Sequence, residues 1–186
     1  MTSFFSSFEN QFVSAQDISL PPGQVMAIEG DKDTVLLVLS GWPSLGQTSL
    51  SPGAWHYVRA PYQTLIKNDM DASARLVFCE LIRASGRLAG DATLAGVPLH
   101  HLFFENEYIE AYRAIFPPGS ATGWHHHSRA GLAVVMDGGV MTIESASGIR
   151  EVDYIRGALR WHADGVAHAI TNTGDTTVHL IDMEWK

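Results

Sequence analysis

Displaced against itself by 104 residues, the chain aligns residues 53–82 with residues 157–186 without a gap, and seven of these thirty pairs are identical. They are Gly53/Gly157, Ala54/Ala158, Ile66/Ile170, Asn68/Asn172, Asp71/Asp175, Leu76/Leu180 and Glu80/Glu184. Unrelated segments of that length would share about one or two. A displacement of 96 superimposes Pro21-Pro22-Gly23 on Pro117-Pro118-Gly119, and the 8-residue difference falls in a longer hairpin of the second copy, around Ser145 to Arg150. A chain repeated in this way folds as two copies of one small unit. The first copy is expected over residues 11–83 and the second over residues 106–186. Residues 84–105 are read as the linker between them. The small, polar, glycine-punctuated stretch from Ser85 to Gly96 has room for a short helix.

Each copy reads as β-structure. Turn formers recur at short intervals, among them Gly41-Trp42-Pro43, Ser51-Pro52-Gly53 and Asp137-Gly138-Gly139. Between them lie runs such as Val35-Leu36-Leu37-Val38-Leu39, Leu132-Ala133-Val134-Val135-Met136 and residues 178–183, which are too short for independent helices and suit a pleated sheet. With 46% apolar residues in 186, the chain can bury a core of ordinary size. The expected class is all-β, a sandwich or barrel in each copy.

A formal charge of −8 repels phosphate backbones and anionic membrane surfaces alike, so neither nucleic acid nor membrane is an expected partner. The single cysteine, Cys79, cannot form an internal disulfide. No lysine or arginine precedes Lys32, which fits neither a secretory nor a transit leader, and no apolar run reaches the roughly 18 residues of a spanning helix. The expectation is a cytoplasmic protein.

The histidines carry the chemistry. Of nine, His125, His126, His127, His162 and His168 fall close together in the second copy, with His179 further on, whereas the first copy holds only His56. On a strand, His125 and His127 project to one side and His126 to the other. His168, just past the Asp164-Gly165 turn, could bring a third imidazole to the same ion if the two strands meet. His126 and His179 read as ordinary surface and strand positions, and His100-His101 as surface. His162, beside Trp161, is a candidate fourth ligand or proton shuttle. Trp124 and Trp161 read first as core packing.

These residues resemble the cupin family. Its first motif is Gly, five residues, His-x-His, three or four residues, Glu, six residues, Gly, and it is matched by Gly119, His125, His127 and Gly139. Its second motif, Gly, five residues, Pro-x-Gly, two residues, His, three residues, Asn, is matched by Gly157, Gly165, His168 and Asn172, with Ala163 in the proline place. The resemblance implies two tandem cupin-like antiparallel β-barrels of the jelly-roll type, a bicupin whose N-terminal unit is degenerate. It also implies a divalent metal held by His125, His127 and His168. Leu132 or Gly131 holds the place of the family's metal-binding glutamate, so the site resembles the three-histidine centres of cysteine and diketone dioxygenases. In the first copy Thr64 stands where His168 does, and Glu29-Gly30-Asp31 lies about where the histidine run belongs. No metal is expected there.

Three neutral imidazoles leave the double charge of an ion uncompensated, which draws an anionic or chelating small molecule. Iron would leave room for a bidentate substrate and dioxygen, and zinc for an activated water; nickel and manganese suit the same ligands. Because the rings must be deprotonated, affinity is expected to fall below about pH 6.5. The leading function is a dioxygenase-type oxidoreductase on a small organic acid or chelating substrate. The alternative is a non-catalytic binding or regulatory cupin. A metal-free epimerase would need Tyr154 or Tyr112 to face the pocket together with a histidine. The first copy is expected to serve as scaffold, packed on the second to hide sheet edges, and a homodimer would double that arrangement.

Overall fold

The computed structural model describes residues 3–82 and 94–186, and these are strands joined by turns except for a 3₁₀ helix at Leu94–Gly96. The chain divides into two compact units, Met1–Arg83 and Ala84–Lys186.

The first unit holds β1 (Ser3–Glu9), β2 (Val13–Leu20), β3 (Val25–Gly30), β4 (Thr34–Ser40), β5 (Ser44–Leu45), β6 (Thr48–Ser49), β7 (Trp55–Val58), β8 (Tyr62–Lys67) and β9 (Ala74–Leu81). They form one sheet in the order β1-β2-β9-β4-β7 and another in the order β3-β8-β5-β6. The second unit holds β10 (His100–Glu105), β11 (Ile109–Phe116), β12 (His125–His127), β13 (Gly131–Asp137), β14 (Gly139–Ser145), β15 (Gly148–Tyr154), β16 (Leu159–His162), β17 (Val166–Asn172) and β18 (Val178–Trp185). Its sheets run β10-β11-β18-β13-β16 and β12-β17-β14-β15, the same order strand for strand. All pairings are antiparallel, as expected for chains that reverse every few residues at glycine and proline.

The repeated residues do the same work in both units. The Asn68 amide donates to the Leu20 and Ala72 carbonyls, both at 2.8 Å, and the Asn172 amide donates to Phe116 and Thr176 at 2.7 and 2.8 Å. Both asparagines are fully buried, so each closes backbone groups that water cannot reach. Gly53 and Gly157, with φ of +81° and +86°, each donate to a carbonyl of the equivalent strand, Val38 on β4 or Val135 on β13, at 2.8 Å. A side chain at either position would strain that turn. Asn10 and Asn106, which stand 96 residues apart, each accept two backbone N–H groups and close the first hairpin of their unit.

Each unit has its own core between its two sheets. Ile18, Leu36, Val38, Ile66 and Leu76 cluster in the first unit, and Phe116, Val135, Met141, Ile170 and Leu180 in the second. The repeat reaches further toward the N-terminus than the sequence reading had it. β1 precedes the boundary expected at residue 11 and pairs with β2. β10 lies at the end of the stretch read as linker and pairs with β11. The physical reason is shared: a hairpin closed by an asparagine gives each five-stranded sheet its outer strand. Of the rest of the expected linker, residues 84–93 lie outside the described residues, and the short 3₁₀ helix at Leu94–Gly96 falls at the end of the stretch with room for one. Among the described residues no helix is long and apolar enough to cross a membrane.

Candidate metal centre

β12 is only three residues long, and its burial alternates as a strand requires: His125 and His127 are buried and His126 is exposed. It pairs with β17 in a register that sets His125 opposite His168 and His127 opposite Val166. Three rings therefore meet. The Nε2 atoms of His125 and His127 are 3.2 Å apart, those of His127 and His168 3.2 Å, and those of His168 and His125 3.1 Å.

The His125–His127 contact is not a hydrogen bond between neutral rings. His125 Nδ1 lies 3.2 Å from the Gly123 carbonyl, and His127 Nδ1 lies 3.1 Å from Glu184 Oε1. A carbonyl only accepts, and Glu184 accepts through Oε1 both as a carboxylate and with its proton on the unpartnered Oε2, so both Nδ1 atoms carry the ring hydrogen and both Nε2 atoms present lone pairs. Lone pairs at that spacing repel unless a cation lies among them. Nitrogens each 2.0–2.1 Å from one ion stand about 2.8–3.4 Å apart for angles between octahedral and tetrahedral, which brackets the observed triangle. The donor set fits a divalent metal, and His125, His127 and His168 are the residues that could hold it. Burial, the largest influence, lowers the proton affinity of all three rings. His127 falls to about 3 and His168 to about 4. The free rings of His127 and His168 are thus neutral and ready to ligate well below pH 6.5.

Glu184, on β18, was not read as a site residue. It is fully buried, and burial together with the neighbouring Asp182 charge pushes its carboxyl up to about 8. Its Oε1 faces His127 and its Oε2 has no hydrogen-bond partner. His127, His162 and Glu184 also group closely enough to share an ion. That use would take the Nδ1 hydrogen from His127, so Glu184 is better placed as an outer carboxylate orienting the ring. The available signal was its identity with Glu80 in the repeat, which marked the position without its purpose.

His162 does not join the triangle. Its ring lies 4.1 Å from that of His127, centroid to centroid, and its Nε2 is 3.4 Å from Asp182 Oδ1. Burial opposes charge on His162, but Asp182 outweighs it and raises the ring's proton affinity. Burial would likewise raise Asp182, yet the His162 contact holds it below the usual carboxylate range. The ring also fills the space at position 131, one of the two places where the family's glutamate would fall. A Cβ at Gly131 would stand 2.3 Å from His162 Nε2, so the imidazole occupies the space into which a side chain at 131 would project.

A chamber of about 300 Å³ opens on the three nitrogens. Phe116, Ile143, Trp161 and Ile170 line it as apolar wall, and Arg150 and Arg160 as cations. Arg160 stacks on the Tyr154 ring at 4.1 Å and donates to the Asp153 carbonyl at 2.7 Å. Two sequence expectations need correction here. Trp124 is 57% exposed and not core, because it flanks a three-residue strand on its open side. His100 is not a surface residue; it is buried and lines the chamber, because β10 carries it in opposite Ala114. His101 is exposed as expected, and His179 holds an ordinary place on β18 near Asp137. Tyr154 lines the chamber, whereas the Tyr112 hydroxyl donates to Glu110 at 2.6 Å and does not line it.

In the first unit, β3 pairs with β8 so that Ile28 faces Thr64 and Gly30 faces Tyr62. By register these stand for His125, His168 and His127, with Tyr62 opposite the third. None of Ile28, Gly30 and Thr64 offers an imidazole, and Tyr62 lies across Gly30, where a Cβ would meet its hydroxyl at 2.7 Å.

No protein-family model matches the chain, and no curated protein does. Among solved structures, a cupin domain from Bordetella pertussis Tohama I is 31% identical, covering 47% of this chain and 91% of its own, with a TM-score of 0.45. AerE from Microcystis aeruginosa matches all of this chain and 92% of its own at a TM-score of 0.75 and 13% identity. A cupin 2 conserved barrel domain protein from Leptotrichia buccalis matches all of this chain and 88% of its own, at 0.66 and 13%. The chain has the cupin fold.

Two enzymes share this fold over most of the chain's length. Salicylate 1,2-dioxygenase from Pseudaminobacter salicylatoxidans covers 94% of it with 71% of its own chain, at a TM-score of 0.67 and 10% identity. A single-site mutant of oxalate decarboxylase from Bacillus subtilis covers 95% with 69% of its own, at 0.66 and 11%. At such identities the likeness concerns the cupin fold itself.

Proposed function

We propose that this cupin is a metal-dependent enzyme, a dioxygenase-type oxidoreductase acting on a small organic acid, with His125, His127 and His168 as the ligands of a divalent ion. One observation carries the reading: three imidazole nitrogens lie 3.1–3.2 Å apart, two of them with their ring hydrogens committed elsewhere. A bound redox-active ion such as iron would supply Lewis acidity and electron transfer to dioxygen.

The remaining tasks belong to the protein. Arg150 and Arg160 set positive charge in the chamber wall, which favours a carboxylate. Phe116, Ile143 and Trp161 keep water from the reacting face. Glu184 holds the His127 tautomer, and the His162–Asp182 pair keeps a proton within the same chamber. Salicylate 1,2-dioxygenase and oxalate decarboxylase are by name enzymes of acids, and one structure of the former is a complex with gentisate, which supports an acid as the ligand class. The first unit serves as scaffold, and the whole chain forms a homodimer, which light scattering tests.

The test is elemental analysis of untagged protein beside a His168→Ala control, followed by oxygen uptake of the iron-loaded protein with a panel of small acids. Near-stoichiometric metal lost in the variant, with acid-dependent oxygen uptake, is the expected result. Metal content no different between the two proteins overturns the site. Acid binding without oxygen consumption, whichever metal is loaded, replaces the enzyme by a binding protein.

A further inference from the structure

His100 stands apart in sequence from both histidine clusters, yet its side chain lines the same chamber and is only 8% exposed. Its position depends on an unusual backbone. Leu99 has a φ of +70°, in the left-handed region that residues other than glycine rarely adopt, and it is the one such non-glycine residue among those described. That turn follows Pro98 and opens β10, so that His100 faces the barrel interior while His101, Leu102 and Phe103 remain exposed. A strained residue held by its surroundings, immediately before a buried polar side chain in a cavity, points to a function for that side chain.

The ring is oriented as well as buried. His100 Nδ1 lies 3.1 Å from the Pro98 carbonyl, to which it donates, and the ring meets Phe116 edge-on at 6.0 Å. The hydrogen of the neutral ring is thereby fixed on Nδ1, leaving the lone pair on Nε2. Nε2 has no protein partner among the described residues, and it is not sealed from solvent as the Nδ1 of His162 is. Nor does the ring belong to the metal triangle: its centroid is 6.0 Å from that of His125, and it falls outside the group that can share an ion. What remains is an oriented hydrogen-bond acceptor in the wall of a chamber whose cations favour a carboxylate.

We propose that His100 reads the ligand: its Nε2 accepts a hydrogen bond from an O–H or N–H of the bound acid, so the chamber prefers hydroxy or amino acids to acids lacking that donor. The inference rests on the acid reading above for the carboxylate, but the hydrogen bond itself requires no ion. His100 is on this account a specificity residue.

Calorimetric titration with two pairs of probes tests it, lactate against propionate and mandelate against phenylacetate, each pair differing by one hydroxyl. Each titration is run on zinc-loaded and on metal-free protein. The wild type should bind the hydroxy acid of at least one pair about tenfold tighter, the size of one net hydrogen bond to a charged or well-oriented partner. His100→Ala should lose that preference, bind the deoxy acid unchanged and retain the wild-type zinc content. An absent preference in the wild type, a preference surviving in the variant, or an equal loss for both members of a pair overturns the inference. A His100-dependent preference in protein that takes up no zinc refutes the metal reading and leaves this one standing. Should the alanine variant not fold, the ¹⁵N resonance of His100 Nε2 in the wild type decides. It should move with mandelate and not with phenylacetate, and equal movement with both counts against the proposal.

Discussion

Replacing Glu184 by Gln should weaken metal binding and stabilise the metal-free protein, two effects of opposite sign from one buried carboxyl. Its Oε1 takes the His127 ring hydrogen at 3.1 Å, and its Oε2 has no partner in a fully buried position. Burial and the Asp182 charge raise its carboxyl from an ordinary 4.5 to about 8. Between those values the metal-free folded state holds a proton that the unfolded state has released, so folding stability falls as pH rises from about 4.5 to about 8. At 1.36 kcal/mol per unit, the wild type forfeits up to about 5 kcal/mol by pH 8, which the glutamine variant keeps. Metal binding runs the other way. A nearby double charge favours ionised Glu184, so wild-type affinity should climb about tenfold per pH unit to about pH 8 and then level off. His127 and His168 do not bend this line, because they take up protons only near 3 and 4, and burial lowers His125 in the same direction. This replaces the fall below pH 6.5 that unperturbed histidines would give. In Glu184→Gln the slope should vanish, and at pH 8 affinity should drop about 10- to 100-fold, the usual effect of losing a carboxylate behind a histidine ligand. Competition titration against a chelator from pH 5.5 to 8.5, with thermal melts of the metal-free proteins, reads both. A flat wild-type profile, or a variant that keeps the slope, refutes the reasoning.

Asn68→Ala and Asn172→Ala should each cost about 2–4 kcal/mol in urea unfolding, since each removes two donors from buried carbonyls; a large difference between them would speak against equivalent roles. Gly131→Ala sets a Cβ 2.3 Å from His162 Nε2 and 2.8 Å from the Met183 carbonyl, and the resulting shift of His162 should cost about 1–3 kcal/mol, measured by thermal unfolding. Arg160→Met should lower the affinity of small carboxylates about tenfold or more without changing metal content, because it removes one of two chamber cations but no ligand; calorimetry and elemental analysis check the two halves.

Much of the architecture was legible because it depends on local chemistry. Gly53 and Gly157 mark a left-handed turn, Asn68 and Asn172 mark buried carbonyls to be closed, and the run 132–136 can only be a strand. His-x-His announced two imidazoles on one face, because strand alternation needs no knowledge of the partner strand. The hairpins of β1 and β10 are marked in sequence only at the turn, where Phe8-Glu9-Asn10 repeats as Phe104-Glu105-Asn106; the rest of the two outer strands, residues 3–7 and 99–103, share no residue.

Local pattern thus determined by itself that this chain is a doubled β-unit with a histidine centre in its second half. Register across strands decided the remainder. Glu184 and Asp182 lie some 55 residues beyond β12, His100 lies 25 before it, and His162 fills the space over Gly131, none of which can be read from spacing. A ligand atom is chosen by the nearest residues in sequence. The carboxylate that turns its ring, the imidazole that fills the space over Gly131 and the acceptor in the chamber wall are chosen by which strands lie side by side, and that follows only once the whole barrel has closed.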